Sequence, residues 1–145
     1  MEFPLSTPHE SAQSLMRLYE LRREEKLREA RTWVAFSFNP QSVEDYAAVA
    51  QTEEYTYVRR VSSYWDMAAS FVVHGAIEPE MFRAVSSEML VVYCKVEHMI
   101  HELREGLGQP GLLTYVEQVA ADWPDAEERM AGLREYFAGV AAASE

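Results

Sequence analysis

The feature that most restricts the fold of this chain is the helical spacing of its apolar residues. In the stretch that begins at Ser42, apolar side chains recur every three or four positions, as they do along one face of an α-helix. They are Ala47, Ala50, Tyr57, Val61, Tyr64, Trp65, Ala68 and Val72. No segment alternates apolar and polar residues over the length of a strand. The spacing therefore predicts an all-α fold.

Helix-capping and helix-breaking residues divide the chain into predicted elements. Thr7-Pro8 opens the first helix, with Glu10 completing a capping box, and Asn39-Pro40 ends it. The predicted elements are an N-terminal arm at 1–7, three long helices at 8–37, 42–74 and 79–105, two shorter helices at 112–123 and 125–141, and a frayed tail at 142–145. Short connections favour antiparallel neighbours, so we expect residues 1–145 to form one antiparallel helical-bundle domain.

Composition limits the classes of partner. The chain has 145 residues, of which 48% are hydrophobic and 26% charged, and this is typical of a globular protein. Its formal net charge of −11 repels phosphate backbones and anionic lipid, which argues against a nucleic-acid partner. No apolar run is long enough to span a bilayer. Met1-Glu2-Phe3-Pro4 does not resemble a secretory signal, and we expect a cytoplasmic location.

Several short motifs carry a resemblance to a known family. Ser63-Tyr64-Trp65-Asp66 gives an aromatic pair with an acidic residue, and residues 71–78 give an apolar run followed by Gly75-Ala76-Ile77-Glu78. Together with residues 19–23, 28–31 and 115–120, they resemble a bacterial family of helical proteins known only as a domain of unknown function. Some relatives carry a hydrophobic segment before the first long helix, where this chain has only Phe3 and Leu5. The resemblance implies a helical fold and leaves the function open.

A second pattern concerns metal binding. Folding the second and third predicted helices back on each other about the Gly75 turn would bring Glu54 within reach of Glu97 and His101. His98 precedes His101 by three positions, and Glu97 precedes it by four, so each pair can share a helix face. Bundles build metal sites from inward side chains on facing helices, so Glu54, Glu97, His98 and His101 are candidate metal ligands.

The alternative interpretation of these polar residues is a layer of ion pairs or solvated side chains. Charged networks of this kind imitate functional clusters, and the Glu-x-x-His pair of di-iron bundles does not occur in the sequence. The expected counter-ions are Arg22, Arg23 and Lys26. Asp66, which the same folding places near Glu88, is expected to have a separate hydrogen-bonding or surface role.

Cys94 and the aromatic residues each have a structural and a functional interpretation. Cys94 stands alone and within an apolar run, which favours a buried structural thiol over a nucleophile assisted by His98. Aromatic side chains at helical spacing are expected in the core, although a pocket between helices could use them for a small apolar ligand. They are Tyr55, Tyr57, Tyr64, Trp65, Phe71 and Tyr93.

The start of the first helix is unusually apolar. Leu15, Met16, Leu18, Tyr19 and Leu21 place five apolar residues in seven positions. One stripe would be enough for packing within the chain, so we expect these residues to form an interface with a second molecule. Symmetric dimers are the commonest oligomers, which favours a homodimer. The alternative is that the last two helices cover this segment completely.

The sequence thus predicts a non-enzymatic helical bundle that acts through contact with another protein or with a second copy of itself. The alternative is a binding module that holds a metal ion or a small ligand within the bundle. The residues indicate no organic cofactor and no catalytic set.

Overall fold

The computed structural model describes residues 5–144, and within them the fold is all-α. The helices are α1 (Pro8–Arg22), α2 (Glu25–Ser37), α3 (Val43–Val49), α4 (Tyr55–Val73), α5 (Pro79–Val85), α6 (Glu88–Cys94), α7 (Ile100–Leu107), α8 (Thr114–Ala121) and α9 (Ala126–Ala143), with a 3₁₀ turn at Glu97–Met99. No helix in this part of the chain is long and apolar enough to cross a membrane. The first four residues of the predicted arm, and Glu145 of the predicted tail, lie outside the described residues.

The first long helix of the prediction is wrong in one respect, because it is two helices. Arg23 and Glu24 separate α1 from α2, although neither is a glycine or proline. Glu24 leaves the helical region, with φ −58° and ψ 136°, and its carboxylate accepts hydrogen bonds from the backbone N–H groups of Lys26 (3.1 Å) and Leu27 (2.9 Å). A side chain that satisfies these otherwise unpaired donors can start a new helix within a mixed-charge run.

The second and third long helices are interrupted as well. Residues 50–54 form a turn between α3 and α4, in which the Thr52 hydroxyl donates to the carbonyl of Val49 (2.7 Å). Ser86 leaves the helical region after α5, with φ −127° and ψ 32°, and Lys95 closes α6. The pairing of residues expected from two unbroken antiparallel helices about the Gly75 turn therefore does not apply.

The hydrophobic core forms around α4 and α6. α4 packs mainly against α2 and α8, while α6 packs against α9. Trp65, Phe82, Leu90 and Leu103 are among the largest fully buried side chains. Most of α6 is buried, which agrees with the wide apolar stripe of the sequence in this region.

The N-terminus of α1 is tied to the turn that follows α4. The predicted capping box is present, with Thr7 and Glu10 exchanging hydrogen bonds of 2.9 and 3.1 Å. The buried Ser11 hydroxyl accepts a hydrogen bond from the backbone N–H of Glu78 (3.0 Å), and the Ser6 N–H donates to the carbonyl of Gly75 (3.0 Å). These contacts fix the position of α1 over α4 and α5.

Asp66 has a structural role in α8. One of its oxygens accepts hydrogen bonds from the backbone N–H groups of Tyr115 and Val116, both at 3.1 Å. α8 begins after Leu113, which has a positive φ of 54° and caps nothing with its side chain. A carboxylate from α4 therefore caps α8 across the interior.

Candidate binding groove

A surface groove of about 410 Å³ lies between α1, α4 and the end of α5. Its volume is within the range of pockets that hold small molecules. Its lining residues are Leu15, Met16, Leu18, Tyr19, Glu20, Arg22, Arg23, Tyr64, Trp65, Val85 and Ser86. We call this feature the α1 groove.

The outer walls of the α1 groove include apolar side chains that are exposed to solvent. Met16 is 65% exposed, Tyr19 55% and Val85 54%. The predicted interface residues Leu15, Met16, Leu18 and Tyr19 all line the groove, whereas Leu21 is exposed outside it. Leu18 differs from the others because it is buried in the core. The described parts of α8 and α9 therefore leave this segment partly uncovered.

The floor of the groove is aromatic. Trp65 is only 1% exposed and packs edge to face on Tyr64, with their ring centroids 5.0 Å apart. The Tyr64 hydroxyl donates a buried hydrogen bond of 2.7 Å to the carbonyl of Leu18. Burial raises the pKa of Tyr64 to about 12, so this hydroxyl stays neutral and keeps its proton at ordinary pH. The bond holds α1 against α4 at the middle of the groove.

Two arginines lie at the end of the groove that is formed by the C-terminus of α1. The Arg22 guanidinium carbon lies 5.3 Å from the ring centroid of Tyr19 and 5.3 Å from that of Trp65. Arg23 lies 6.0 Å from the Tyr19 ring. Guanidinium groups are attracted to aromatic faces by the quadrupole of the ring. Within residues 5–144, Arg22, Arg23 and Lys26 form no ion pair, so their expected role as counter-ions is not what the structure shows.

Two buried hydrogen-bond donors at the groove have no acceptor among the described residues. They are Nε of Arg22 and Nε1 of Trp65. A buried donor without a partner costs about 1–3 kcal/mol, and such groups are rare in native proteins. Both belong to side chains that line the groove, so an acceptor brought by a bound molecule could satisfy them.

A clamp of charged residues fixes the C-terminal end of α1. Nη1 of Arg31 donates to the carbonyl of Arg22 (3.0 Å). Nε and Nη2 of the same guanidinium each lie 2.9 Å from an oxygen of Glu88 at the start of α6. Such a two-point pair restrains direction as well as distance. Arg31, which lies on α2, therefore connects the end of α1 to the start of α6 beside the groove.

The four predicted metal ligands do not come together. Glu97 pairs with Arg134 at 2.9 Å, and His98 and His101 are both exposed. Glu54 is the residue before α4. Within the part of the chain that the structure describes, no three His, Cys, Asp or Glu side chains are placed where they could hold a metal ion. The ion-pair interpretation fits Glu97, although its counter-ion lies on α9.

The alternative of a nucleophilic cysteine is also not supported. Cys94 is fully buried, and its thiol contacts the carbonyl of Val91 at 3.0 Å. Burial raises the pKa of the Cys94 thiol to about 11, which disfavours the reactive thiolate. Asp66 and Glu88 have the separate partners described above, so they form no acid–base pair.

The groove brings together residues whose proximity could not be predicted from the sequence. Of the six aromatic residues considered for a ligand pocket, only Tyr64 and Trp65 line it. The sequence does not place Val85 and Ser86 in a site, because it predicts an unbroken helix where α5 ends. The usable signal was the dense apolar cluster in α1, next to two arginines.

The fold and the groove define a small all-α protein with an apolar surface groove. Within that class, the chain belongs to the DUF4760 family, a domain of unknown function whose family model matches residues 8–123. The match includes every described residue that lines the groove and confirms the predicted resemblance to a helical domain of unknown function. Comparisons with curated proteins and with solved structures gave no match.

Proposed function

We propose that this protein is a non-enzymatic binding module and that the α1 groove is its binding site. The observation that carries the proposal is the combination of solvent-open apolar walls with two unsatisfied buried donors in one groove. Ligand sites are typically concave and mostly apolar, with a few convergent polar groups. The cytoplasmic location expected from the sequence stays a prediction.

The proposal is tested with 1-anilinonaphthalene-8-sulfonate, an apolar fluorescent anion. We expect saturable binding of one probe molecule per chain. Met16→Glu should weaken it at least about tenfold, because it replaces an apolar wall with a charge that repels the probe. Met67→Glu is the matched control, since Met67 is also an exposed methionine on a helix but lies outside the groove.

Two results would contradict the proposal. One is the absence of saturable probe binding to the wild-type protein. The other is equal weakening by Met16→Glu and Met67→Glu, which would mean that the probe binds exposed apolar surface in general.

A second candidate function is self-association through α1. It is favoured by the exposure of Met16, Tyr19 and Leu21 on one helix, because exposed apolar clusters commonly mark interaction surfaces. A partner helix packed on this face would cover the groove. Leu21 is exposed outside the groove, so a substitution there tests self-association separately from ligand binding. The solution mass of the protein decides whether this surface joins two copies.

A further inference from the structure

We propose that the α1 groove takes a small amphipathic carboxylate, with its apolar body along Leu15, Met16 and Val85 and its carboxylate at Arg22 and Trp65. This assignment names a ligand class for the proposed binding module and therefore depends on that proposal. Three properties of the groove support it, namely the type of its unsatisfied atoms, its charge and the nature of its walls.

The unsatisfied polar atoms define what the ligand must bring. Nε of Arg22 and Nε1 of Trp65 are both donors, and neither can accept a hydrogen bond. A ligand hydroxyl would bring a donor as well as an acceptor to the same place, and a protonated amine would bring donors only. A carboxylate brings two acceptor oxygens and no donor, so it can accept from both kinds of N–H group.

The charge of the groove favours an anion. The Arg22 guanidinium carbon lies 5.3 Å from the centroids of two aromatic rings, and among the described residues this group has no carboxylate partner. Arg23 adds a second positive charge at the same end. Among residues 5–144, Glu20 is the only acidic residue that lines the groove, and it pairs with Arg17 at 3.4 Å. Removing Arg22 from water without a counter-ion is costly, and a bound carboxylate would reduce that cost.

The walls and volume define the rest of the ligand. Beyond the arginines, the groove is bounded by aliphatic side chains from α1 and by Val85. About 410 Å³ accommodates a small molecule with an apolar body. The carboxylate would lie at the arginine end and the apolar body would extend towards Leu15.

Access to the Trp65 nitrogen requires side-chain movement, and Arg22 is a side chain placed on its ring. Both unsatisfied nitrogens are shielded from water in the free protein, and the half-buried Arg22 lies on the Trp65 ring. Rotation of a partly exposed arginine takes place within nanoseconds, so it adds no large barrier. In the complex, Arg22 would leave its position over the ring and pair with the carboxylate.

The test compares decanoate with 1-decanol and decylamine, which share the apolar chain and differ in the head group. We expect titration calorimetry to show decanoate binding at least about tenfold more tightly than either, because charge-assisted hydrogen bonds are the stronger ones. In ¹H–¹⁵N spectra, the indole N–H signal of Trp65, assigned with Trp65→Phe, should shift downfield with decanoate only.

The Arg22→Met variant separates the contribution of the ligand's carboxylate to affinity from that of its apolar chain. It should remove the preference for decanoate over 1-decanol and leave the affinity for 1-decanol unchanged. Arg60→Met is the control, because Arg60 carries the same charge on an exposed part of α4, does not line the groove and forms no ion pair among the described residues. If Arg22→Met does not fold, the Trp65 signal of the wild-type protein still decides the question.

The outcomes distinguish the two proposals. Equal affinity for decanoate, 1-decanol and decylamine, or no shift of the Trp65 signal, would overturn the carboxylate assignment while leaving a binding groove in place. No binding of any of these molecules, or of the fluorescent probe, would overturn the binding module itself.

Discussion

At the scale of single residues, Cys94 and Lys95 show how burial acts on two neighbours in opposite directions. Lys95 is only 4% exposed, and its ammonium donates to the carbonyl of Ala35 (2.7 Å) and to Oδ1 of Asn39 (3.1 Å). It also lies 3.8 Å from the ring centroid of Phe137. Burial lowers the pKa of Lys95 to about 8 and raises that of Cys94 to about 11, because it disfavours the charged form of each.

The shift at Lys95 predicts a dependence of stability on pH. Its folded pKa is about 8 and its unfolded value 10.5, so the unfolded chain binds more protons between these limits. The free energy of unfolding should therefore rise with pH in this window. The same contribution is lost when pH is lowered from 10.5 through 8. Between pH 7.5 and 9.5 we expect a gain of about 2 kcal/mol relative to Lys95→Met, measured by urea unfolding.

The measurement belongs in a Cys94→Ala background. The raised pKa of Cys94 acts in the opposite direction, because its contribution is lost as pH rises from 9 towards 11. Parallel pH profiles for the protein with and without Lys95 would show that the ammonium is as well stabilised in the folded state as in water.

At the scale of elements, the sequence predicted the helix ends that depend on local chemistry. Thr7 and Ser42 cap α1 and α3 as expected, with the Ser42 hydroxyl accepting from the N–H of Asp45 (3.1 Å). The breaks at Glu24 and Ser86 could not be predicted in the same way, because neither position is marked by a glycine or a proline. At Glu24 a side-chain cap replaces helical hydrogen bonds, whereas α6 begins without one. Local helix propensity does not contain the tertiary packing that decides where such breaks fall.

The turn after α4 gives a prediction about Gly75. Its φ is +81°, and an added Cβ would lie 3.3 Å from Cδ2 of Leu5. Gly75→Ala should lower the free energy of unfolding by about 1–2 kcal/mol, because a positive φ is unfavourable for alanine. Urea unfolding is the measurement.

Gly132 is the matched control for that substitution. It is an exposed glycine within α9, and no atom lies within 4 Å of its added Cβ. Gly132→Ala should stabilise the protein by up to about 1 kcal/mol, because alanine has the higher helix propensity. A loss of stability in both variants, or a gain in both, would show that backbone conformation does not decide the outcome.

At the scale of the whole molecule, the α1 groove arises from residues that are distant in sequence. Leu15 and Met16 come from α1, Trp65 from α4 and Val85 from the end of α5. The sequence identified the α1 part, because an apolar cluster that is too wide for one stripe is visible in a single helix. It could not supply the rest, since the angles at the breaks decide which faces meet.

Self-association makes a prediction at this scale. Leu21 is exposed on α1 but does not line the groove, so Leu21→Glu should weaken a dimer without reducing probe binding. Leu18→Glu is unsuitable, because Leu18 is only 6% exposed and a charge there would disrupt the core. Sedimentation at micromolar concentration should show a dimer for the wild type and a monomer for Leu21→Glu.

A wild-type protein that is monomeric under these conditions would contradict self-association and leave the groove free for a small ligand. Met67→Glu is again the control, because it adds the same charge on the exposed side of α4.

The cap that Asp66 places on α8 has a consequence for how the protein unfolds. Asp66 is separated from the backbone donors of Tyr115 and Val116 by 49 and 50 residues. The first turn of α8 therefore gains its acceptor only when distant parts of the chain have already met, and a peptide covering α8 alone would begin with unpaired donors. Secondary and tertiary structure at this point must form and melt together, which favours a cooperative transition over gradual fraying.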